Sequence, residues 1–169
     1  MHTMERAAES LALFTSLALV VPQMQERTTA GVARELNELL HLHAGLPEAF
    51  FFTPARLCHE LLTSTTLNRG MLVAPVRSAP VTKTHFALGR APEPLPWRAQ
   101  WLPAVEFVCL VVEPASKSSE FRQVLAGLTR LACDAETIGQ LRAAGNAEEM
   151  LAVLERLPLT TRQGQWSRA

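Results

Sequence analysis

Val105 to Val112 reads VEFVCLVV, an apolar, largely β-branched run interrupted by a single charge. A strand with one face in water alternates apolar with polar side chains, so a run with almost no alternation belongs in mid-sheet, covered on both faces. Glu113 and Pro114 close it, and from Ser118 or Ser119 the period changes. Phe121, Val124, Leu125, Leu128, Leu131 and Ala132 then fall on one broad stripe of a helix. A doubly covered strand followed by an amphipathic helix points to an α/β architecture, helices laid on a central sheet.

The flanking sequence alternates in the same way between helix and strand periods. Thr28 or Thr29 caps a helix with Val32, Leu36, Leu39, Leu40 and His43 on one face, stopping near Gly45 and Pro47. A second helix is expected from Thr53 and Pro54, carrying Leu57, Leu61 and Leu62. Val81 to Leu88 alternates as a strand, with Thr82, Thr84, Phe86 and Leu88 on one side and Lys83, His85 and Ala87 on the other. The proline-rich stretch Ala91 to Pro96 is expected to end it as a loop. Asp134 caps a shorter helix through Ile138 and Leu141, ended by Gly145, and Asn146 with Glu149 makes a capping-box-like start for a last helix through Leu151, Leu154 and Leu157. Leu11 to Val21 reads as a buried strand. It is shorter than the ~20 apolar residues that cross a bilayer, and Glu5 and Glu9 against Arg6 replace the positive start of a signal peptide.

At 169 residues, 48% hydrophobic, the chain suits one compact domain, expected over residues 13–158 with flexible termini at 1–12 and 159–169. Sixteen basic side chains balance sixteen acidic ones, which gives no electrostatic pull toward nucleic acid or a membrane surface. Cys58, Cys109 and Cys133 show no CxxC spacing and read as free thiols, small buried hydrophobes in a reducing compartment; the expected location is cytoplasmic. Phosphate-loop, nucleophile-elbow and HExxH patterns are missing. His2, His41 and His43 make no metal-ligand set.

The stretch Ser64 to Arg77, STTLNRGMLVAPVR, is a polar turn ending in Gly70 followed by an apolar run closing on Pro75. It resembles the phosphoryl-accepting loop of the mannitol/fructose/nitrogen-type IIA proteins of the bacterial sugar phosphotransferase system, whose pattern runs roughly STGxGNGxAxPH and ends on the phosphorylated histidine. LGRAPEPLPW (Leu88 to Trp97), PAVEFVCLVVEP (Pro103 to Pro114) and EFRQVLAGLTRLACD (Glu120 to Asp134) are similar to further hallmarks of that family, in order. The resemblance covers roughly residues 14–157. It implies a mixed, roughly five-stranded sheet with helices on both faces and a phosphorylation site in a shallow depression at one end.

In that family a neutral imidazole attacks a phosphohistidine donor in line, while fixed donors hold the transferred oxygens. Aligning Ser64 and Thr65 on the family's Ser-Thr pair places Pro75 at the phosphohistidine position, or Val76 if one residue is inserted. Neither side chain can accept phosphate. The second active-site histidine falls on Phe121, an upstream arginine on His59 and the loop asparagine on Arg69; of the two flanking glycines, Gly70 is kept and the other is Asn68. No catalytic residue is expected, and the candidate rim is His59, Ser64, Thr65, Arg69, Gly70 and Arg77.

Arg69, Arg77 and Arg90 read either as remnants of an anion cradle or as ordinary loop charges. His85, beside Lys83, reads as part of a solvated strand face. Trp97 and Trp101 supply one core residue and one candidate partner anchor. The resemblance thus implies a non-catalytic IIA-like protein that acts by regulatory binding of a protein partner, with no cofactor, no metal, no nucleic acid and no membrane insertion. Two alternatives stay open: an active phosphocarrier using His59, and a small-anion sensor built on Arg69 and Arg77.

Overall fold

A computed structural model of the chain describes residues 9–44, 65–67, 70–79, 81–95, 105–115 and 119–159. The helix expected from Thr53, and Trp97 and Trp101, lie outside them. Five strands form one mixed sheet: β1 (Val20–Val21), β2 (Thr65–Leu67), β3 (Met71–Ser78), β4 (His85–Leu95) and β5 (Val105–Pro114), in the spatial order β1-β4-β5-β3-β2. β1 runs parallel to β4 and β3 parallel to β5, while β4 with β5 and β2 with β3 are antiparallel.

The unalternating run of β5 is central, as its composition demands. Its side chains point by turns into two separate apolar layers. Val105, Val108, Leu110 and Val112 join Leu72, Ala74, Val76 and Ala87 beneath helix α1 (Thr29–His43), whose Val32, Ala33, Leu36 and Leu40 face down onto them. Phe107, Cys109 and Val111 join Met71, Val73, Phe86 and Leu88 on the opposite face. Three helices cover that second layer: α2 (Glu120–Cys133), α3 (Ala135–Ala143) and α4 (Ala147–Glu155). Val124, Leu128 and Leu131 of α2, Ile138 and Leu141 of α3, and Met150 and Leu154 of α4 fill it.

The caps follow the sequence closely. Thr28 Oγ1 accepts from the Gly31 amide at 3.0 Å, Asp134 caps α3 through the Glu136 amide at 3.1 Å, and Asn146 caps α4 through the Glu149 amide at 2.8 Å. The Glu149 carboxylate reaches back to the Gly145 amide, one residue earlier than a standard capping box. Ser119 stands at the N-cap of α2 without a side-chain cap bond.

Three expectations are corrected. Leu11 to Val21 is not a continuous strand: two short 3-10 turns, Leu11–Phe14 and Leu17–Leu19, precede the two-residue β1. Its composition is that of a buried strand, but packing uses only part of it, burying Leu11, Phe14 and Leu19 while Leu13 and Leu17 stay in water. Ordered packing also begins before residue 13, since Ser10 pairs with Pro158 and the Leu11 amide donates to Leu157 O. Finally, the strand expected over Val81 to Leu88 is displaced along the chain: β4 starts at His85 and runs on to Leu95. Pro92 and Pro94 are tolerated because β1 pairs only as far as Gly89, and the β5 register slips between Arg90 and Leu95.

Candidate functional site

The segment expected as a polar loop is largely strand. Thr65, Thr66 and Leu67 of β2 pair with Val73, Leu72 and Met71 of β3, and Gly70 sits just before β3 at φ 76°. That left-handed conformation is strained for any residue with a Cβ, so the glycine retained from the family pattern has a backbone role in the turn. His59, Ser64 and Arg69 lie outside the described residues.

β3 then carries Pro75 and Val76, the two residues expected to align with the family's phosphohistidine, alongside β5, with Pro75 opposite Val111, Val76 opposite Val112 and Arg77 opposite Glu113. Strand alternation separates the two placements of the missing histidine. Val76 is buried in the layer beneath α1. Pro75 is only partly buried and faces the other way, on the side covered by α2. Phe121, in the first turn of α2, packs against that same layer. Pro75 and Phe121 therefore share a face, as a nucleophile and its partner would have to, and neither offers a titratable or nucleophilic atom.

Arg77, two residues further along β3, lies on the Pro75 face. Its Nε donates to Glu113 Oε1 at 2.7 Å; the Glu113 side chain is 7% exposed and the Arg77 side chain 76%. Glu113 is the site residue that sequence reasoning missed, having been read only as a strand terminator. The available signal was a carboxylate at the end of an apolar run, where burial demands a cation. Thr84, just ahead of β4, is likewise buried, and its hydroxyl finds no partner among the described residues.

His85 opens β4 opposite Val112. It is half-buried rather than on a solvated face, while Lys83 is exposed. Burial first, then the Lys83 ammonium, lower its pKa below the usual histidine value, and Glu120 partly offsets them. The shift favours the neutral ring.

Arg90 is withdrawn from the anion-cradle set. Its Nε donates to Pro22 O at 2.8 Å, and Nη1 to the carbonyls of Leu141, Arg142 and Ala144 at 3.0, 3.0 and 2.6 Å. Of the cysteines, Cys109 is fully buried and its thiol is pushed far up by burial, whereas Cys133 is exposed, contrary to expectation. Among the described residues no cluster of three or more His, Cys, Asp or Glu side chains is placed to hold a metal, and no helix is long and apolar enough to cross a membrane.

The arrangement can hold a buried carboxylate against an exposed guanidinium; it supplies no nucleophile at Pro75 or Phe121. The fold has counterparts among solved structures. Nitrogen regulatory protein IIA-Ntr from Neisseria meningitidis superposes with a TM-score of 0.70 at 21% identity, over 85% of this chain and 98% of that one. IIA mannitol from Escherichia coli gives 0.60 at 20% identity, over 82% and 97%. The IIA mannitol component in complex with phosphorylated IIB, also from Escherichia coli, gives 0.64 at 22% identity, over 82% and 95%. At these identities the likeness is one of fold. Among curated protein sequences none matches. The family model described as phosphoenolpyruvate-dependent sugar phosphotransferase system, EIIA 2, matches residues 56–157, more than half of the chain, and the protein belongs to that family.

Proposed function

We propose that this IIA-type protein takes no phosphoryl group and works in the cytoplasm as a regulatory subunit, binding a protein partner through the face that carries Pro75 and Arg77. The observation behind this reading is the pairing of Pro75 with Phe121 on one face, with no imidazole at either position. A phosphoryl group arriving at Pro75 or Phe121 would meet no side-chain atom able to accept it. The fold that presents the site nevertheless superposes on nitrogen regulatory protein IIA-Ntr over 85% of this chain. The mannitol component's complex with phosphorylated IIB supports a partner of the same general kind, another phosphotransferase-system protein. Arg77 speaks against a free anion site, since one edge of its guanidinium is already committed to Glu113.

Incubation with the phosphorylated carrier protein of a phosphotransferase system, followed by measurement of acid-labile phosphate on this chain, tests the reading. No label is expected. Stoichiometric labelling would overturn it, and loss of that label in His59→Ala would establish the phosphocarrier alternative instead.

A further inference from the structure

On the α1 side of the molecule, away from Pro75, a groove of about 480 Å³ lies between β1 and α1. β1 is the outermost strand of the sheet at that edge. α1 presents two stripes: one, with Val32, Leu36 and Leu40, enters the core, and a second, with Glu35, Glu38, Leu39 and Leu42, lines the groove. The groove stripe repeats at helical spacing, and Leu39 is its one side chain that also packs against the core. From Gly31 to Leu42 it extends about 16 Å at the rise of a helix.

The groove is lined by apolar and acidic side chains together. Val21 and Leu39 are partly buried against the core and Leu42 is 64% exposed, a large hydrophobe left in water at the end of the stripe. Glu26, Glu35 and Glu38 stand against a single cation, Arg34. Glu35 is held in place, its carboxylate accepting from the Gln25 and Glu26 amides at 3.1 Å each. Glu26, Glu38 and Arg34 form no ion pair among the described residues. In a chain of zero net charge, the excess of carboxylates here is local.

We propose that this groove docks a short amphipathic segment of a partner protein, apolar on one side and rich in lysine or arginine along its margins. Apolar side chains of the segment cover Val21, Leu39 and Leu42, and its cations meet Glu26 and Glu38, which supply register and orientation. The surface is separate from the Pro75 face, so it goes beyond the function proposed above, and either reading can fail without the other.

The test uses the full chain and a fluorescent peptide of about 12 residues, long enough to span the groove, with leucine and lysine at helical spacing. Its leucine–glutamate counterpart is the control. By anisotropy the leucine–lysine peptide binds saturably and the control does not. Affinity falls about tenfold or more in the E26K/E38K double variant, and again when ionic strength is raised from ~0.05 to ~0.5 M. Leu42→Ser, at an exposed position, weakens binding without lowering the melting temperature. Absence of saturable binding up to ~1 mM peptide overturns the proposal. Equal affinity for the two peptides, or for wild type and the charge-reversed variant, overturns it as well.

Discussion

The guanidinium of Arg90 reaches two separate pieces of chain: the carbonyl of Pro22, next to β1, and the last carbonyls of α3 and its exit. The carbonyls at a helix C-terminus have no partner within the helix and carry the negative end of its dipole, so a fixed cation there satisfies acceptors and offsets charge together. Replacing Arg90 with methionine keeps much of the stem and removes every donor; we expect a loss of about 2–3 kcal/mol, a fall in melting temperature of roughly 5–10 °C. Arg90→Lys should recover less than half of this, because one ammonium cannot span both sites. Thermal denaturation of the three proteins checks it, and a lysine variant as stable as wild type would show that charge alone suffices. This role was not legible in the sequence. An arginine in a GRAPEP stretch looks the same whether it awaits an anion or ties down a helix end, and only the distant carbonyls of Leu141 to Ala144 decide between them. That neither Pro75 nor Phe121 carries a side chain able to accept phosphate is, in contrast, a matter of residue type, legible before any coordinates.

At the scale of elements, β5, α1 and α2 to α4 were readable because each carries a signal repeated over several residues: an unbroken apolar run, a 3.6-residue stripe, a capping side chain. β1 and the far half of β4 were not. The first is set by where the chain docks on β4, and the second survives its prolines only because its neighbours leave those positions unpaired. The junction of α1 with the sheet depends on Gly89, the β4 residue opposite Val21 of β1. A Cβ there would run into the Met24 sulfur and lie 2.7 Å from Met24 Cγ and 3.3 Å from Leu36 Cδ2. Met24 is fully buried, so although its side chain is flexible the displaced sulfur has nowhere to go. Alanine ordinarily suits a strand better than glycine, by about 0.5–1 kcal/mol. Overpacking should outweigh that gain, and Gly89→Ala is expected to destabilise by about 1–3 kcal/mol. Adding Met24→Ala should make the glycine substitution nearly neutral by comparison, as chemical denaturation of the two pairs would reveal. A stabilised Gly89→Ala would mean that Met24 repacks freely.

The described residues make two apolar layers divided by one sheet, with β5 feeding side chains alternately into both. β1, β3, β4 and β5 each contribute to both layers, so neither helical cover can leave without exposing strands that the other layer also uses. That arrangement predicts one cooperative unfolding transition. Val32, on α1, and Val124, on α2, are both fully buried and lie on opposite faces. Truncating either to alanine removes similar apolar volume and should cost about 2 kcal/mol, lowering the melting temperature by roughly 4–8 °C. Separated by the sheet and sharing no contact, the two losses should add to within about 0.5 kcal/mol in the double variant. Far-ultraviolet circular dichroism and tryptophan fluorescence, followed together through denaturation, should give coincident curves for all four proteins. Two resolved steps, with each substitution shifting only one, would show instead that the α1 layer opens independently of α2 to α4. In that case the groove beside α1 would belong to a separately mobile layer, and a ligand seated there would stabilise the first step alone.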